Sequence, residues 1–219
     1  MEKTPIYFMP GLAASPKIFE NLEFDLNRYT LHYLNWIAPQ TYEEDINSYA
    51  CRLSTEIKEK NPVLIGVSFG GIIVQELANY VHPKKVIILS SVKHHDELPK
   101  RFKVAKITKI YKIFPTKVIE NFEDYIAFFV GKSLKKRADL YKKYLSIRSK
   151  EYLQWSIANI IKWQQTTSIK NIVHIHGTND AVFPIKNIKN TIKVEGGTHI
   201  MVLTKAKKIS KIIDTVLTC

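Results

Sequence analysis

The sequence predicts an α/β protein with a mostly parallel, six-stranded sheet that is flanked by helices, and three observations lead to this prediction. Continuous apolar runs, such as 62–67 and 85–91, are typical of parallel strands that are buried on both faces. Segments with apolar residues at helical spacing, such as 71–81, alternate with these runs. The chain has 219 residues, which allows one sizeable core but not two. We therefore expect a single domain over residues 1–219, with right-handed crossovers between its strands.

The predicted strands and helices follow one another in a regular order along the chain. Strands are expected at 5–10, 30–37, 62–67, 85–91, 171–177 and 190–197, and helices at 41–60, 71–81 and about 205–217. The helix at 41–60 is supported by a capping Thr41, by acidic residues in its first turn and by lysines in its last turn.

Residues 93–169 interrupt this order with aromatic-rich, helix-like stretches, and we expect them to form a helical lid insertion. The segment holds 12 of the 24 aromatic residues, which can build a small core over the sheet, line a pocket, or do both. Within it, residues 93–150 hold 16 Lys/Arg and 6 Asp/Glu, so most of the net charge of +13 lies there. A solvated surface explains this charge. Recognition of an anionic substrate group, or weak association with an acidic membrane surface, is the alternative.

Several classes of protein do not fit the sequence. No window approaches 18 consecutive apolar residues, so we expect no membrane span. The N-terminus lacks the basic and apolar regions of a signal peptide, so we expect a cytoplasmic protein in which Cys51 and Cys219 are free thiols. The basic residues do not form a known nucleic-acid-binding module with interleaved aromatics, so nucleic acid is not an expected partner.

A serine between glycines, in the sequence GVSFG at 66–70, is the first functional signal. It lies between a predicted strand and a predicted helix. A sharp strand-to-helix turn brings the residues two before and two after the serine too close for side chains, which explains Gly66 and Gly70. Such a turn lifts the hydroxyl above the carboxyl edge of the sheet, where ligands bind in open α/β folds. We therefore predict that Ser68 is a nucleophile.

A serine nucleophile needs a base, and the base needs a carboxylate that orients it. Asp180 follows the predicted strand at 171–177, and His199 follows the one at 190–197, so both are expected at the same edge as Ser68. The chain order Ser, Asp, His fits an acid and a base that follow the later strands. We predict acyl transfer in which His199 takes the proton of Ser68 while Asp180 holds the imidazole.

These motifs resemble the α/β-hydrolase superfamily, and in particular its small single-domain members with a lid. The resemblance covers nearly the whole chain and is carried by PGL at 10–12, GVSFGG at 66–71, HGTNDAVFP at 176–184 and GGTHI at 196–200. It implies that the first two strands of the full family sheet are absent. The first strand present is then the central strand that delivers the oxyanion loop.

The resemblance also implies an oxyanion hole made of two backbone N–H groups, those of Leu12 and Phe69. Many members of the superfamily carry His-Gly in the first of these loops, whereas this chain has MPGL at 9–12. Gly11 still permits the turn, and the main chain supplies the donor. No metal and no cofactor are expected for this chemistry.

The substrate is predicted only as a class. An aromatic lid over the serine favours a carboxylic ester of modest size with an apolar part, and Phe129, Trp155 and Phe183 are predicted to line its pocket. The alternative for Trp155 is packing of its helix against the sheet, and the alternative for Phe183 is packing beneath the lid. An acyl-thioester is the alternative, because a basic lid can hold a phosphate-bearing carrier such as coenzyme A. The non-enzymatic alternative is a small-molecule receptor that uses a hydrolase pocket.

Other residues have competing interpretations. Asp180 also suits simple turn chemistry in TND, and Asp96 is a rival acid because it follows the strand at 85–91. His174 and His176 share one face of a strand, but no third ligand stands at a metal-binding spacing, so we interpret them as packed histidines. Cys51 lacks the context of a cysteine nucleophile.

Overall fold

The computed structural model describes residues 3–109, 143–147, 149–167 and 169–218. Its six strands are β1 (Thr4–Met9), β2 (Tyr29–Tyr33), β3 (Val63–Val67), β4 (Lys85–Leu89), β5 (Ile172–Gly177) and β6 (Ile192–Val194). They form one sheet in the order β2-β1-β3-β4-β5-β6, and every neighbouring pair is parallel. The predicted six-stranded parallel sheet is therefore confirmed. Because the strands are parallel, the loops that follow them all lie at the carboxyl edge of the sheet.

Helices cover both faces of this sheet. They are α1 (Ile46–Ser54), α2 (Phe69–Val81), α3 (Lys100–Thr108), α4 (Lys150–Lys162), α5 (Met201–Thr204) and α6 (Ala206–Thr218), with short 3-10 helices at Pro16–Phe19, His95–Glu97 and Ile185–Asn187. None of the helices in the described part of the chain has the length and apolar character that a bilayer crossing requires.

Alternate residues of each strand point to opposite faces and enter two cores. From β1, Tyr7 and Met9 pack with buried residues of α1, α2 and α4. Ile6 and Phe8 pack on the other face with the 3-10 helix at Pro16–Phe19 and with α6. Burial on both faces is the physical reason why β3 and β4 consist almost entirely of apolar residues.

The helix predicted at 41–60 is shorter in the structure. It spans Ile46–Ser54, and Asp45 caps it instead of Thr41, because the Asp45 Oδ1 accepts the Ser48 N–H at 2.8 Å.

Glu44 explains the late start of this helix. Its buried carboxylate accepts bonds from the Arg52 guanidinium at 2.7 and 2.9 Å and from the Gln40 N–H at 2.8 Å. These bonds stabilise the non-helical turn that precedes α1.

Two other predicted boundaries also move. The second strand ends at Tyr33 instead of residue 37, and the last strand spans Ile192–Val194 instead of 190–197. The closing helix predicted at about 205–217 is present as α6, and the short α5 precedes it.

The predicted insertion at 93–169 contributes α3 and α4, while residues 110–142 lie outside the described part. Most of α4 is buried and joins the core beside α2, and Trp155 and Ile157 are among its buried residues. The same helix also reaches the neighbourhood of Ser68 through Ile160, as does α3 through Phe102. The described part of the insertion therefore adds both to the core and to the surroundings of the serine.

Candidate active site

Ser68 occupies a strained turn between β3 and α2. Its φ and ψ are 53° and −119°, outside the regions that a serine adopts at low cost. A Cβ at Gly66 would lie 2.3 Å from the Gly70 carbonyl oxygen, and one at Gly70 would lie 2.3 Å from the Met9 carbonyl oxygen. The predicted need for glycine on both sides of the serine is confirmed by these distances.

Bonds from the neighbouring strand hold this turn. The Ser68 N–H donates to the Leu89 carbonyl at 2.9 Å, and the Ser91 hydroxyl donates to the Ser68 carbonyl at 2.7 Å. The backbone N–H and carbonyl of Ser68 are therefore both hydrogen-bonded, although the residue belongs to neither the strand nor the helix. Its hydroxyl takes no part in these bonds.

The structure brings together the three residues that were predicted to act as nucleophile, base and acid. The His199 Nε2 lies 2.9 Å from the Ser68 Oγ, and its Nδ1 lies 2.9 Å from the Asp180 Oδ2. A carboxylate accepts only, so the bonding assigns a proton to Nδ1 and leaves Nε2 to accept from the serine hydroxyl. This is the arrangement in which an imidazole can act as a general base.

Asp180 takes part in the turn and contacts the histidine at the same time. Its Oδ1 accepts the N–H groups of Val182 and Phe183 at 2.8 and 2.9 Å, while Oδ2 faces His199. Burial alone would raise the pKa of the Asp180 carboxyl. The nearby His199, its hydrogen bond and further contacts outweigh burial, so the pKa lies below its usual value. The side chain is therefore a buried carboxylate.

The rival acid, Asp96, has a different environment. Its side chain is 76% exposed and pairs with Lys103 at 3.1 Å. This ion pair lowers the pKa of the Asp96 carboxyl. Its recorded ion pairs are with Lys103 and His95, whereas His199 pairs with Asp180.

The two predicted oxyanion donors flank the serine. Phe69 is the first residue of α2, so its N–H has no acceptor within its own helix. The Leu12 loop passes close by, since a Cβ at Gly11 would lie 3.4 Å from the Ser68 Cβ. Among the described residues, neither the Leu12 nor the Phe69 N–H has a hydrogen-bond partner outside regular structure.

A cavity of about 100 Å³ opens beside Ser68 and His199. Its described walls are mainly aliphatic and aromatic, with contributions from the Gly11 loop, from α3 and α4, and from the segment after His199. Those walls comprise Gly11, Leu12, Ala14, Ile18, Val67, Phe102, Tyr144, Leu145, Ile160, Val182, Phe183, Ile200, Val202 and Leu203. No Lys, Arg, Asp or Glu is among these described wall residues.

The three predicted pocket residues have different outcomes. Phe183 lies in the cavity wall, and its ring meets the His199 ring edge-on at 5.5 Å. The placement of Trp155 in the pocket is wrong, because its fully buried ring packs between Tyr49 and Phe69 in the core. Phe129 lies outside the described residues.

Two aromatic residues that the sequence did not single out support the Leu12 loop. The Trp36 Nε1 donates to the Gly11 carbonyl at 3.1 Å, and the Tyr152 hydroxyl accepts the Ala13 N–H at 3.4 Å. Trp36 fell inside a strand predicted to run to residue 37. Strand periodicity carries no information about a side chain that reaches back to a loop 25 residues earlier.

His174 and His176 form a buried pair next to this site. The His174 Nε2 donates to the His176 Nδ1 at 3.0 Å, because the His176 Nε2 donates to the Phe183 carbonyl at 2.8 Å. Burial lowers the pKa of both imidazoles, and that of His174 falls well below its usual value. No cluster of three potential metal ligands occurs in the described ranges. Both rings are therefore neutral core residues.

Comparison with solved structures shows the α/β-hydrolase fold. A bromoperoxidase from Bacillus anthracis matches with a TM-score of 0.70 and 17% identity, covering 100% of this chain and 93% of that one. An esterase from Exiguobacterium antarcticum matches with 0.69 and 16%, covering 100% and 93%. A lipase-esterase related protein from Clostridium acetobutylicum matches with 0.64 and 19%, covering 97% and 94%. The predicted resemblance is confirmed at the level of fold.

The sequence itself is more distant from known proteins. No family model matches it, and no curated protein matches it.

Proposed function

We propose that this chain is a serine hydrolase that cleaves carboxylic esters through an acyl-enzyme intermediate. The observation that carries the proposal is the hydrogen-bonded series Ser68, His199 and Asp180 at the carboxyl edge of the sheet. The α/β-hydrolase fold supports it, because solved structures of that fold include esterases. A nucleophile, its base and an orienting carboxylate are the groups that acyl transfer requires.

Acylation begins when the Ser68 Oγ attacks the ester carbonyl carbon and its proton passes to the His199 Nε2. The buried Asp180 carboxylate stabilises the resulting imidazolium across the 2.9 Å bond to Nδ1. The Leu12 and Phe69 N–H groups donate to the negative oxygen of the tetrahedral intermediate. When the intermediate collapses, the C–O bond breaks and the imidazolium protonates the leaving alcohol.

Deacylation repeats these steps with water. His199 removes a proton from the water, whose oxygen attacks the acyl carbon, and the carboxylic acid leaves as Ser68 recovers its proton. Every proton taken up by the histidine is returned within the cycle, so the protein ends in its starting state.

The cavity indicates the kind of acyl group. Its described walls are apolar and carry no Lys or Arg, so they suit an uncharged aliphatic group better than an anionic one. The predicted lid over 93–169 contributes Phe102 and Ile160 to these walls, and we propose that it encloses the acyl chain. The described lysines of this segment include Lys103, which pairs with Asp96 away from the cavity.

The decisive experiment measures hydrolysis of nitrophenyl esters and acyl-thioesters of increasing chain length by wild-type protein and by Ser68→Ala. We expect turnover of neutral esters that Ser68→Ala abolishes without loss of folding. Ser156→Ala is a matched control, because Ser156 is fully buried in α4 outside the cavity wall. Labelling of wild-type protein by a fluorophosphonate, together with its loss in Ser68→Ala, separates an enzyme from a receptor. Turnover by Ser68→Ala within a few fold of wild type would reject the proposal.

A further inference from the structure

Trp36 joins the two segments that carry the proposed oxyanion donors. Its indole N–H donates to the Gly11 carbonyl at 3.1 Å, and its ring stacks on the Phe69 ring, with centroids 5.2 Å apart and planes inclined by 12°. We propose that Trp36 is the positioning residue of the oxyanion hole and acts through the Leu12 and Phe69 N–H groups. The inference rests on the ester hydrolase function proposed above.

Peptide geometry carries the effect from Trp36 to Leu12. The Gly11 carbonyl and the Leu12 N–H belong to one planar trans peptide, so they point in opposite directions. Two donors hold this carbonyl, the Trp36 Nε1 at 3.1 Å and the Ala14 N–H at 3.0 Å. The direction of the Leu12 N–H is therefore fixed by bonds made on the far side of the same peptide. Bonds accepted by the carbonyl also polarise the peptide and make its N–H a stronger donor.

The loop needs such support because its backbone is not relaxed. Ala13 has a φ of 61°, a left-handed conformation that costs energy for any residue with a Cβ. The long bond from the Ala13 N–H to the Tyr152 hydroxyl, at 3.4 Å, is weak. The stronger tethers of this loop are the Trp36 bond to the Gly11 carbonyl and the bond from the Ile147 N–H to the Ala13 carbonyl, both at 3.1 Å. Of these two, only the Trp36 bond holds the carbonyl that shares a peptide with the Leu12 N–H.

On the Phe69 side, Trp36 acts by packing. The Phe69 ring is fully buried, with Trp36 on it at 5.2 Å and Trp155 at 5.9 Å. Since the Phe69 side chain and N–H share one residue, the stacked ring limits the movement of the donor at the start of α2. One side chain therefore restrains both N–H groups relative to each other.

The test replaces Trp36 by Phe, which keeps an aromatic ring on Phe69 and removes the indole N–H. Loss of a whole oxyanion donor costs about 10²–10³ in rate, so loosening one donor is expected to lower kcat about tenfold. KM for a neutral nitrophenyl ester should change less than about twofold, because the interaction forms in the transition state. The affinity for a trifluoromethyl ketone, whose serine adduct carries the oxyanion, should fall by the same factor as kcat/KM.

Trp163→Phe is the matched control. The Trp163 Nε1 donates to the Glu76 Oε1 at 2.7 Å, so this change also removes one indole hydrogen bond, but away from the cavity wall. It should alter the free energy of unfolding without altering kcat or ketone affinity. If Trp36→Phe does not fold, site-specific replacement of Trp36 by 3-benzothienylalanine removes the N–H and preserves the shape of the ring.

The outcomes separate this inference from the proposed function. The positioning role would be overturned, without affecting the proposed function, if the Trp36 variant kept wild-type kcat and ketone affinity. A change confined to KM would have the same consequence. Wild-type protein that turns over no ester would overturn the proposed function, and the positioning role with it. A fall in kcat without a parallel loss of ketone affinity would likewise argue against action through the oxyanion hole.

Discussion

Asp180→Asn is the most informative perturbation of the proposed acid, because the structure dictates how the amide must sit. The Asp180 Oδ1 accepts two backbone N–H groups, those of Val182 and Phe183 at 2.8 and 2.9 Å. In the variant only the amide oxygen can accept these bonds, so the amide nitrogen must take the place of Oδ2 beside His199. That nitrogen donates to the His199 Nδ1, which therefore loses its proton.

The consequence for catalysis follows from the tautomer. With Nδ1 accepting, the neutral imidazole carries its proton on Nε2, 2.9 Å from the Ser68 Oγ. It can then no longer accept the serine proton, and the imidazolium also loses its stabilising charge. The same change in a serine protease lowers kcat about 10⁴-fold, and we expect a loss of this order at neutral pH.

The assay is steady-state hydrolysis of a neutral nitrophenyl ester, with folding checked by thermal unfolding. Asp96→Asn is the matched control, since Asp96 is exposed and pairs with Lys103, and its kcat should stay within about twofold of wild type. Asp180→Asn with kcat within tenfold of wild type would refute the tautomer argument. Greater damage from Asp96→Asn would show that the acid lies after β4 instead of β5.

Two further predictions concern acyl-chain length and pH. Phe183→Leu shortens a side chain in the cavity wall and should raise kcat/KM for octanoyl relative to butyryl esters, whereas Trp155→Phe, a change in the core, should leave that ratio unchanged. An equal change of the octanoyl-to-butyryl ratio in the two variants would mean that Trp155 also shapes the pocket. Because the pKa values of His174 and His176 are lowered by burial, the unfolded chain binds more protons below about pH 6.5. The free energy of unfolding should therefore decrease as the pH is lowered below this value, by up to about 1.4 kcal/mol per pH unit for each histidine. The free energy of unfolding, measured with urea between pH 5 and 7, should depend less steeply on pH in His174→Gln than in wild type. An unchanged dependence on pH would contradict this explanation.

The sheet was predictable because the sequence of each central strand shows that it is buried. In β3 and β4 an apolar side chain is required on both faces, so burial leaves a continuous pattern in the sequence. The geometry around Ser68 was also predictable, because crowding at Gly66 and Gly70 excludes every other residue type. Local sequence is sufficient at Gly66, where the crowding comes from Gly70 of the same turn, whereas Gly70 is crowded by the Met9 carbonyl at the end of β1.

The errors arose where distant partners decide. Trp155 stands at helical spacing from Trp163, and an apolar helix face looks the same whether it packs in a core or lines a cavity. The structure turns Trp155 inward, where its Nε1 donates to the Glu44 carbonyl at 2.7 Å, and leaves Ile160 to the cavity. The start of α1 was misplaced for a related reason, since Glu44 bonds with Arg52 instead of opening a helix.

The site therefore depends on two kinds of constraint that act on different residues. Ser68 is strained, yet its position follows from short-range geometry, because a buried strand ends before it, a helix begins after it, and Ser91 bonds to its carbonyl at 2.7 Å. The Leu12 loop follows β1 but precedes no regular helix in the same way, and its one departure from the resemblance is the lack of a histidine before Gly11. The structure places the Trp36 indole N–H on the Gly11 carbonyl instead. A side chain from the loop after the neighbouring strand β2 thus adds a second donor to the carbonyl that the loop's own Ala14 N–H also holds. Because this donor comes from a distant part of the chain, Trp36 became visible only in the folded structure.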